Sequence, residues 1–499
     1  MEPRLRAVCD MFVGDVRESA GLHEYDGKLQ DLSPDGVRAD LARLGGAPLD
    51  DAHDEAHLSA FENYARLAYG ELELHRRLPS VHLGNFDVSC YDRAYAPVAE
   101  RHAAKQAHLA LWPDAVDMAI ASLDQVSAPV AAALVDAFRG LLGGLAADDV
   151  PATTAAAYAK LVTHVEHAAE HGSPDPSLGA AALARLMGDV EATTVDVGRL
   201  AEQADGECDR LMQLLRAACA RIDPDADPRS VVTHLVSDHP DADGVVAEAQ
   251  AQVAEVLEFT REHELVPYTD GECIVAPAPE SRRWAMAMMA WAAPAEPDAP
   301  SFYWVTPPDP SWPAPEIEAW LQVFSRSTLP AITLHEVSPG HFAHSRALRH
   351  APSSVRRILA SPAFVEGWAH YIEELCLELG FRSDDPRFAV GVAIEALVRV
   401  TRLACAIGIH TGAMTVEAAA ARFENDAFLT GPAALSEARR ATFDPTYGRY
   451  TWGKLAIRDL HQQARARWNG GYSHGRFHAA MFDLGAPPIG LLGTALERG

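Results

Sequence analysis

His335-Glu336-Val337-Ser338-Pro339-Gly340-His341 is followed, twenty-five residues after its second histidine, by Glu366 in Ser361-Pro362-Ala363-Phe364-Val365-Glu366-Gly367-Trp368-Ala369-His370-Tyr371. Two imidazoles, a carboxylate beside the first and a second carboxylate one helix further on are the parts that hold a zinc ion and activate water. In the common helical zinc motif two histidines four residues apart share one side of a helix. Here the step is six, which at about 100° per residue leaves His341 roughly 120° from His335 around an unbroken helix. Pro339 removes the conflict. It has no N–H for the carbonyl of His335, and its ring crowds that carbonyl, so the helix must break or bulge. Gly340 offers backbone angles that other residues avoid, which lets the chain carry His341 back. The expected centre is one zinc ion per chain, held by His335, His341 and Glu366. A plain helix end with two surface histidines would leave Glu366 and its neighbours unexplained.

The flanking residues fit helices on either side. Pro330 suits the start of the helix that presents His335, while Ser361 and Pro362 cap the next helix and Gly380 stops it. Within that second helix Glu366, His370 and Glu373 recur at i, i+4 and i+7, so one face is polar while Phe364, Trp368, Tyr371 and Leu375 pack elsewhere. A buried polar face needs a partner, and His370 and Glu373 are expected to orient the metal ligands. His344, one turn after His341, is a candidate substrate contact or replacement ligand, with a surface histidine the bland alternative. A long helix follows from about Pro386 to His410, with Val390, Ile394, Leu397 and Val398 on its apolar side. Arg399, Arg402 and His410 can reach a cleft from it, although the surface is the ordinary place for an arginine. The tail brings Tyr447, Tyr450, Trp452 and Lys454 together.

Upstream, Gly271 to Pro315 changes character: Cys273-Ile274-Val275 and Ser301-Phe302-Tyr303-Trp304-Val305-Thr306 are β-prone runs among prolines. They predict a small β element beside the active-site helices. An edge strand there would align an extended peptide, with Tyr303 a substrate contact, and a loop packed over the core is the alternative. The first 260 residues carry helical spacing punctuated by turns, so the chain divides into a helical region 1–270, a strand and proline-rich connection 271–315 and a helical metal-site region 316–499. These are expected to form one continuous, mostly α unit with a central cleft. His164, His167 and His171 share a helix face and read as a solvated polar stripe. Asp238 to Gly244 lacks the ligand order of a calcium loop, and Gly21-Leu22-His23-Glu24-Tyr25-Asp26-Gly27 reads as a capped loop.

A formal charge of −28 over 499 residues argues against nucleic acid and anionic membrane as partners, since either demands a basic face. The seven cysteines are scattered and read as reduced thiols. The N-terminal residues lack an apolar signal-peptide core, and the most apolar run, Trp284 to Ala293, is too short to span a bilayer. A cytoplasmic protein is expected.

The chain resembles the DUF885 family, whose fold is similar to the M32 carboxypeptidases and other mostly helical zinc peptidases of the gluzincin kind. The resemblance rests on Gly21 to Asp26, the His335–His341 block, Glu366-Gly367-Trp368-Ala369, Gly408-Ile409-His410, Tyr450 with Gly453-Lys454, and Gly485-Ala486-Pro487-Pro488. It implies zinc on His335, His341 and Glu366, with Glu336 as general base. The sequence departs from the family at Ala404-Cys405-Ala406-Ile407, where an aspartate is common, and at Asp444 to Arg449 around Tyr447. Both departures fall in the presumed substrate region.

The expected chemistry is hydrolysis of an amide (peptide) bond, as in a carboxypeptidase-like or oligopeptide peptidase. Three protein ligands leave zinc an open position and bring the pKa of its water to about 7. Glu336 takes the proton and passes it to the leaving amine, while Tyr450 and His410 are candidate donors to the oxyanion. Arg402 and Tyr447 are candidate substrate contacts. One alternative is a metal-dependent amidase or esterase acting on a small metabolite. Another is a non-catalytic helical binding protein with a structural metal, which would have no need of Glu336.

Overall fold

The small sheet forms between residues 273 and 305, and it has one strand more than the sequence predicts. In the computed structural model, which describes residues 1–143, 145, 150–283 and 285–499, β1 (Cys273–Pro277) runs parallel to β3 (Ser301–Val305). The additional strand β2 (Ala287–Ala290) pairs antiparallel to β3, giving the order β1-β3-β2. Ala-Met-Met-Ala has no β-branched residue to announce a strand; it extends because the second edge of β3 needs hydrogen-bond partners. Trp284, at the start of that apolar run, lies outside the described residues. Alternation along β3 buries Ser301, Tyr303 and Val305 and leaves Phe302 and Trp304 half-buried on the other face, stacked at 4.4 Å.

Around this sheet the chain is mostly helical. Six helices position the candidate site: α1 (Val197–Ile222), α2 (Leu329–Glu336), α3 (His341–Leu348), α4 (Pro362–Glu378), α5 (Pro386–His410) and α6 (Arg449–Trp468). Their ends follow the sequence closely. The Ser361 hydroxyl accepts from the Phe364 N–H at the start of α4, and Gly380, at φ +93°, turns the chain away after it. α1 lies along α5, with Leu200, Leu211 and Leu215 among Val390, Leu397 and Val400. A main core joins Tyr303 and Val305 of β3 to Leu329 and Ile332 of α2 and to Phe364 and Trp368 of α4. Phe86, Trp112, Phe138 and Tyr158 head a separate core in the N-terminal part.

Charged groups fasten the N-terminal region to the rest. Lys454 has no exposed surface and sits 3.0 Å from Glu207 and 2.7 Å from Glu374, linking α6 to α1 and α4. The Arg356 guanidinium reaches Asp54 at 2.6 Å and Asp51 at 3.0 Å. His23, in the loop that the sequence reads as capped, is a clamp: its ring stacks on Tyr95 at 3.5 Å, and its nitrogens meet Glu296 at 2.8 Å and Asp26 at 3.2 Å. Burial alone would lower the His23 pKa, but the Asp26 and Glu296 carboxylates outweigh it and the net shift is upward. The clamp's contribution is thus complete below the ordinary histidine pKa and fades as pH rises through the raised one.

Two outcomes follow. Lys454→Met, which takes the buried ammonium from Glu207 and Glu374 and leaves them to Arg210 and Arg458, lowers unfolding free energy by about 2 kcal/mol in urea denaturation. His23→Gln loses more melting temperature relative to the parent at about pH 6 than at about pH 9, because only the protonated ring donates to both carboxylates.

Candidate metal centre

α2 ends at Glu336 and α3 begins at His341, so the helix breaks where Pro339 stands. Gly340 takes φ −69° and ψ −135°, a pair outside the helical and extended regions, as the sequence expects of this glycine. Space also excludes a side chain: a Cβ there would lie 1.9 Å from the His335 carbonyl oxygen and 2.4 Å from that of Leu334. The Gly340 N–H donates to the Leu334 carbonyl at 3.1 Å, drawing the chain back over the end of α2. Trp368 of α4 holds the turn from the other side, its indole N–H donating to the Pro339 carbonyl at 3.0 Å.

This turn sets the two imidazoles edge to face, with centroids 4.7 Å apart. The Nε2 atoms of His335 and His341 stand 3.6 Å and 3.5 Å from the same Glu366 oxygen, Oε2. Among the described residues this is the one cluster of three or more His, Cys, Asp or Glu side chains whose ligand atoms converge, all within 4.8 Å of one another. Burial would raise the Glu366 pKa, yet the two imidazoles hold it well below the usual carboxylate range. His335 is pushed the opposite way: burial favours its neutral form, but Glu366 and Glu373 lift its pKa to about 9. A centre that draws protons onto a buried imidazole this strongly is a centre that favours a cation.

Behind the ligands lies Glu373, without exposed surface. Its Oε1 accepts from His335 Nδ1–H at 2.6 Å, and its Oε2 accepts from Arg399 at 3.0 Å and faces His370 Nδ1 at 3.4 Å. A carboxylate only accepts, so Glu373 holds a His335 proton on Nδ1 and Nε2 is the nitrogen turned toward Glu366 and His341, free to meet a metal once its own proton is displaced. The Nδ1 of His341 is buried and has no hydrogen-bond partner. The structure sets Glu373 against His335 and His370 against Glu373, the two residues expected to orient the ligands, while the sequence reads Arg399 as able to reach a cleft, with the surface as its ordinary place. It is buried instead, paired to Glu373 and 3.4 Å from Glu395. Its only sequence signal is its position on the helix face opposite the solvent.

Glu336 closes α2, 8% exposed, and its charge is felt by Cys273 and Tyr303 of the sheet. The Tyr450 ring lies parallel to that of His335 at 6.5 Å, and the guanidinium carbons of Arg399, Arg402 and Arg449 sit 5.5 to 5.9 Å from its centroid. Burial and the Glu366 charge raise the Tyr450 pKa, so the phenol keeps its proton. α6 can bring Tyr450 this close because Gly453 meets Gly367 of α4 at backbone contact: a Cβ on Gly367 would be 2.5 Å from Gly453.

Four expected substrate contacts do not face the centre. Tyr303 is wholly buried, its hydroxyl 3.5 Å from Thr333. His344 is packed between Phe364 and Phe482 with Nε2–H donating to the Gly485 carbonyl at 3.2 Å, and burial lowers its pKa to about 4. Arg402 forms a two-pronged pair with Glu437 at 2.8 Å, and the wholly buried Tyr447 donates to the same carboxylate. His410, an expected oxyanion donor, ends α5 eleven residues beyond Arg399, about 16 Å along the helix. It is buried near Ala441, Asp444 and Asp175. Of the other predicted clusters, His164 bonds the Leu123 carbonyl, and His167 and His171 stack on each other at 4.2 Å.

A cavity of about 500 Å³ opens beside Glu366. It is lined by Phe12, Asp15, Phe61, Tyr64 and Tyr69 of the N-terminal region together with Trp291, Glu366, Arg449 and Trp452.

A mostly helical chain with a kinked His/His/Glu centre facing an internal cavity is the class of protein that fold and site define. The chain belongs to the DUF885 family, described as "Bacterial protein of unknown function", which matches residues 16–496. No curated protein matches it. Two solved structures are similar. One, from Shewanella oneidensis, has 20% identity and a TM-score of 0.76, covering 98% of this chain and 97% of its own. The other, from Colwellia psychrerythraea, has 16% identity and a TM-score of 0.79, covering 99% and 97%. Both are described as a "putative lipoprotein", and the likeness establishes a shared fold. In the chain itself, no helix among the described residues is long and apolar enough to cross a membrane.

If Glu373 sets the His335 tautomer, Glu373→Gln weakens zinc affinity by about 10- to 100-fold in competition with a fluorescent chelator, while the protein stays folded by circular dichroism.

Proposed function

We propose that the protein is a zinc-dependent hydrolase of amide (peptide) bonds, acting on oligopeptides or as a carboxypeptidase-like enzyme. The observation that carries this reading is the convergence of His335 Nε2 and His341 Nε2 on one Glu366 oxygen, with Glu336 next in sequence to the first ligand. Two nitrogen donors and one carboxylate are a donor set that suits zinc. The Glu366 side chain keeps 24% of its surface open toward the cavity, which favours a reactive centre over a closed structural one.

When bound, zinc supplies a Lewis acid that polarises the scissile carbonyl and acidifies water. The chain's own groups do the rest. Glu336 takes a proton from the attacking water and later delivers it to the leaving nitrogen. Glu373 and Arg399 keep the His335 ring in one tautomer and orientation. Tyr450, protonated and flanked by three guanidinium groups, donates a hydrogen bond to the oxyanion that forms as the carbonyl is attacked.

A cavity of about 500 Å³ also lies within the range that takes small molecules, which favours as a second reading the hydrolysis of a small amide or ester. A peptide library run beside a panel of acylated small molecules separates the two. The unpaired thiols support the cytoplasmic location expected from sequence, whereas the descriptions of the two similar structures point those proteins outward; cell fractionation decides between them.

Under this reading Glu336→Gln retains zinc by metal analysis and loses about a thousandfold in turnover, and His335→Ala loses both metal and turnover. Parent-level hydrolysis by Glu336→Gln would remove the mechanism.

A further inference from the structure

The cavity beside Glu366 is also lined by a charge with no counterpart. Asp15, in the first turn of the Val13–Ser19 helix, is solvent-exposed although it lines an interior cavity. Among the described residues its carboxylate has no ion pair and no side-chain hydrogen bond, and the neighbouring Asp87 adds further negative potential. Arg17 does not turn toward it: that guanidinium donates to the carbonyls of Lys28, Gly84 and Asp87 at 3.0 to 3.3 Å. Arg449, which also lines the cavity, is held by Asp444 at 2.8 and 2.9 Å, so its charge is already balanced.

The surface around Asp15 is aromatic. Phe12 stacks on Tyr64 at 6.0 Å and meets Tyr69 at 6.1 Å and Phe61 at 6.5 Å, and all four rings line the cavity. An anion would be repelled by Asp15 and Asp87. A neutral ligand would leave the Asp15 carboxylate without a partner in confined surroundings. A protonated amine matches both features, since it pairs with the carboxylate and is attracted to the electron-rich ring faces.

We infer that Asp15 and the ring cluster of Phe12, Phe61, Tyr64 and Tyr69 form a binding subsite for a protonated amine carried on an apolar or aromatic group. This deepens the hydrolase reading, and rests on it for the claim that the ligand is a substrate: it names substrates with a free amino group, held by Asp15 while the scissile amide lies toward Glu366. Desolvation by the surrounding walls and the nearby Asp87 charge push the Asp15 pKa up to about 6.

The test is calorimetric and independent of turnover. β-Phenylethylamine and N-acetyl-β-phenylethylamine are titrated into the full-length protein treated with EDTA, so that no amine–zinc contact contributes. The amine should bind the parent at least about tenfold more tightly than its acetylated form, and Asp15→Asn, with an unchanged circular dichroism spectrum, should lose that preference. Equal affinity of the two probes for the parent, absence of amine binding, or an Asp15→Asn protein that binds the amine as the parent does would each overturn the subsite. The acetylated probe on the parent protein keeps the test valid even if Asp15→Asn misfolds. Loss of the hydrolase reading through Glu336→Gln would leave these binding results standing, so the two failures are distinct.

Discussion

The buried carboxylate of Glu373 is the constraint on which the centre depends. A charge with no exposed surface survives in a protein interior only when it is paired and hydrogen-bonded, and here Arg399 and the His335 N–H supply both functions. The pairing also works outward. With its Nδ1 proton committed to Glu373, the His335 ring has a single face left to offer, directed at His341 and Glu366. Three helices, α2, α4 and α5, each contribute one member of this contact, so packing among them and geometry at the centre are the same problem.

The turn between the histidines meets a related constraint. Six residues is the wrong interval for one helical face, and the chain resolves it with Pro339, a close approach at Gly340 and the bond from Trp368 to the Pro339 carbonyl. Trp368 belongs to the block that contains Glu366, so that block brings its ligand and at the same time fixes the turn that aims the other two. Proximity of the two sequence blocks in space is thus built from one hydrogen bond as well as from the ligands themselves.

Much of this was legible in the sequence where the signal is local. The His335–His341 block, the i, i+4, i+7 spacing of Glu366, His370 and Glu373, the caps at Ser361 and Gly380 and the long Pro386–His410 helix need no knowledge of distant partners. Residues whose role is decided by tertiary packing were not. Arg399 lies on a helix that reads only as amphipathic, and nothing in its neighbours reveals that Glu373 stands opposite. Tyr303 and His344 carry polar atoms, but single backbone or hydroxyl partners satisfy them in the core. β2 escaped notice because its residues have low strand propensity and it is extended by what pairs with it. The cavity wall at Asp15 comes from a segment more than three hundred residues away from Glu366, beyond the reach of any spacing rule.

The contact of Gly367 with Gly453 bears on how a ligand could enter. With no side chains between them, α4 and α6 interlock backbone to backbone, and Lys454, one residue on, is clasped by acids from α1 and α4. Neither helix has room to slide or tilt against the other without collision. The part of the chamber that bears Glu366, Arg449 and Trp452 therefore behaves as a fixed anvil, and any widening that admits a bulky molecule falls to the aromatic residues of the early part of the chain.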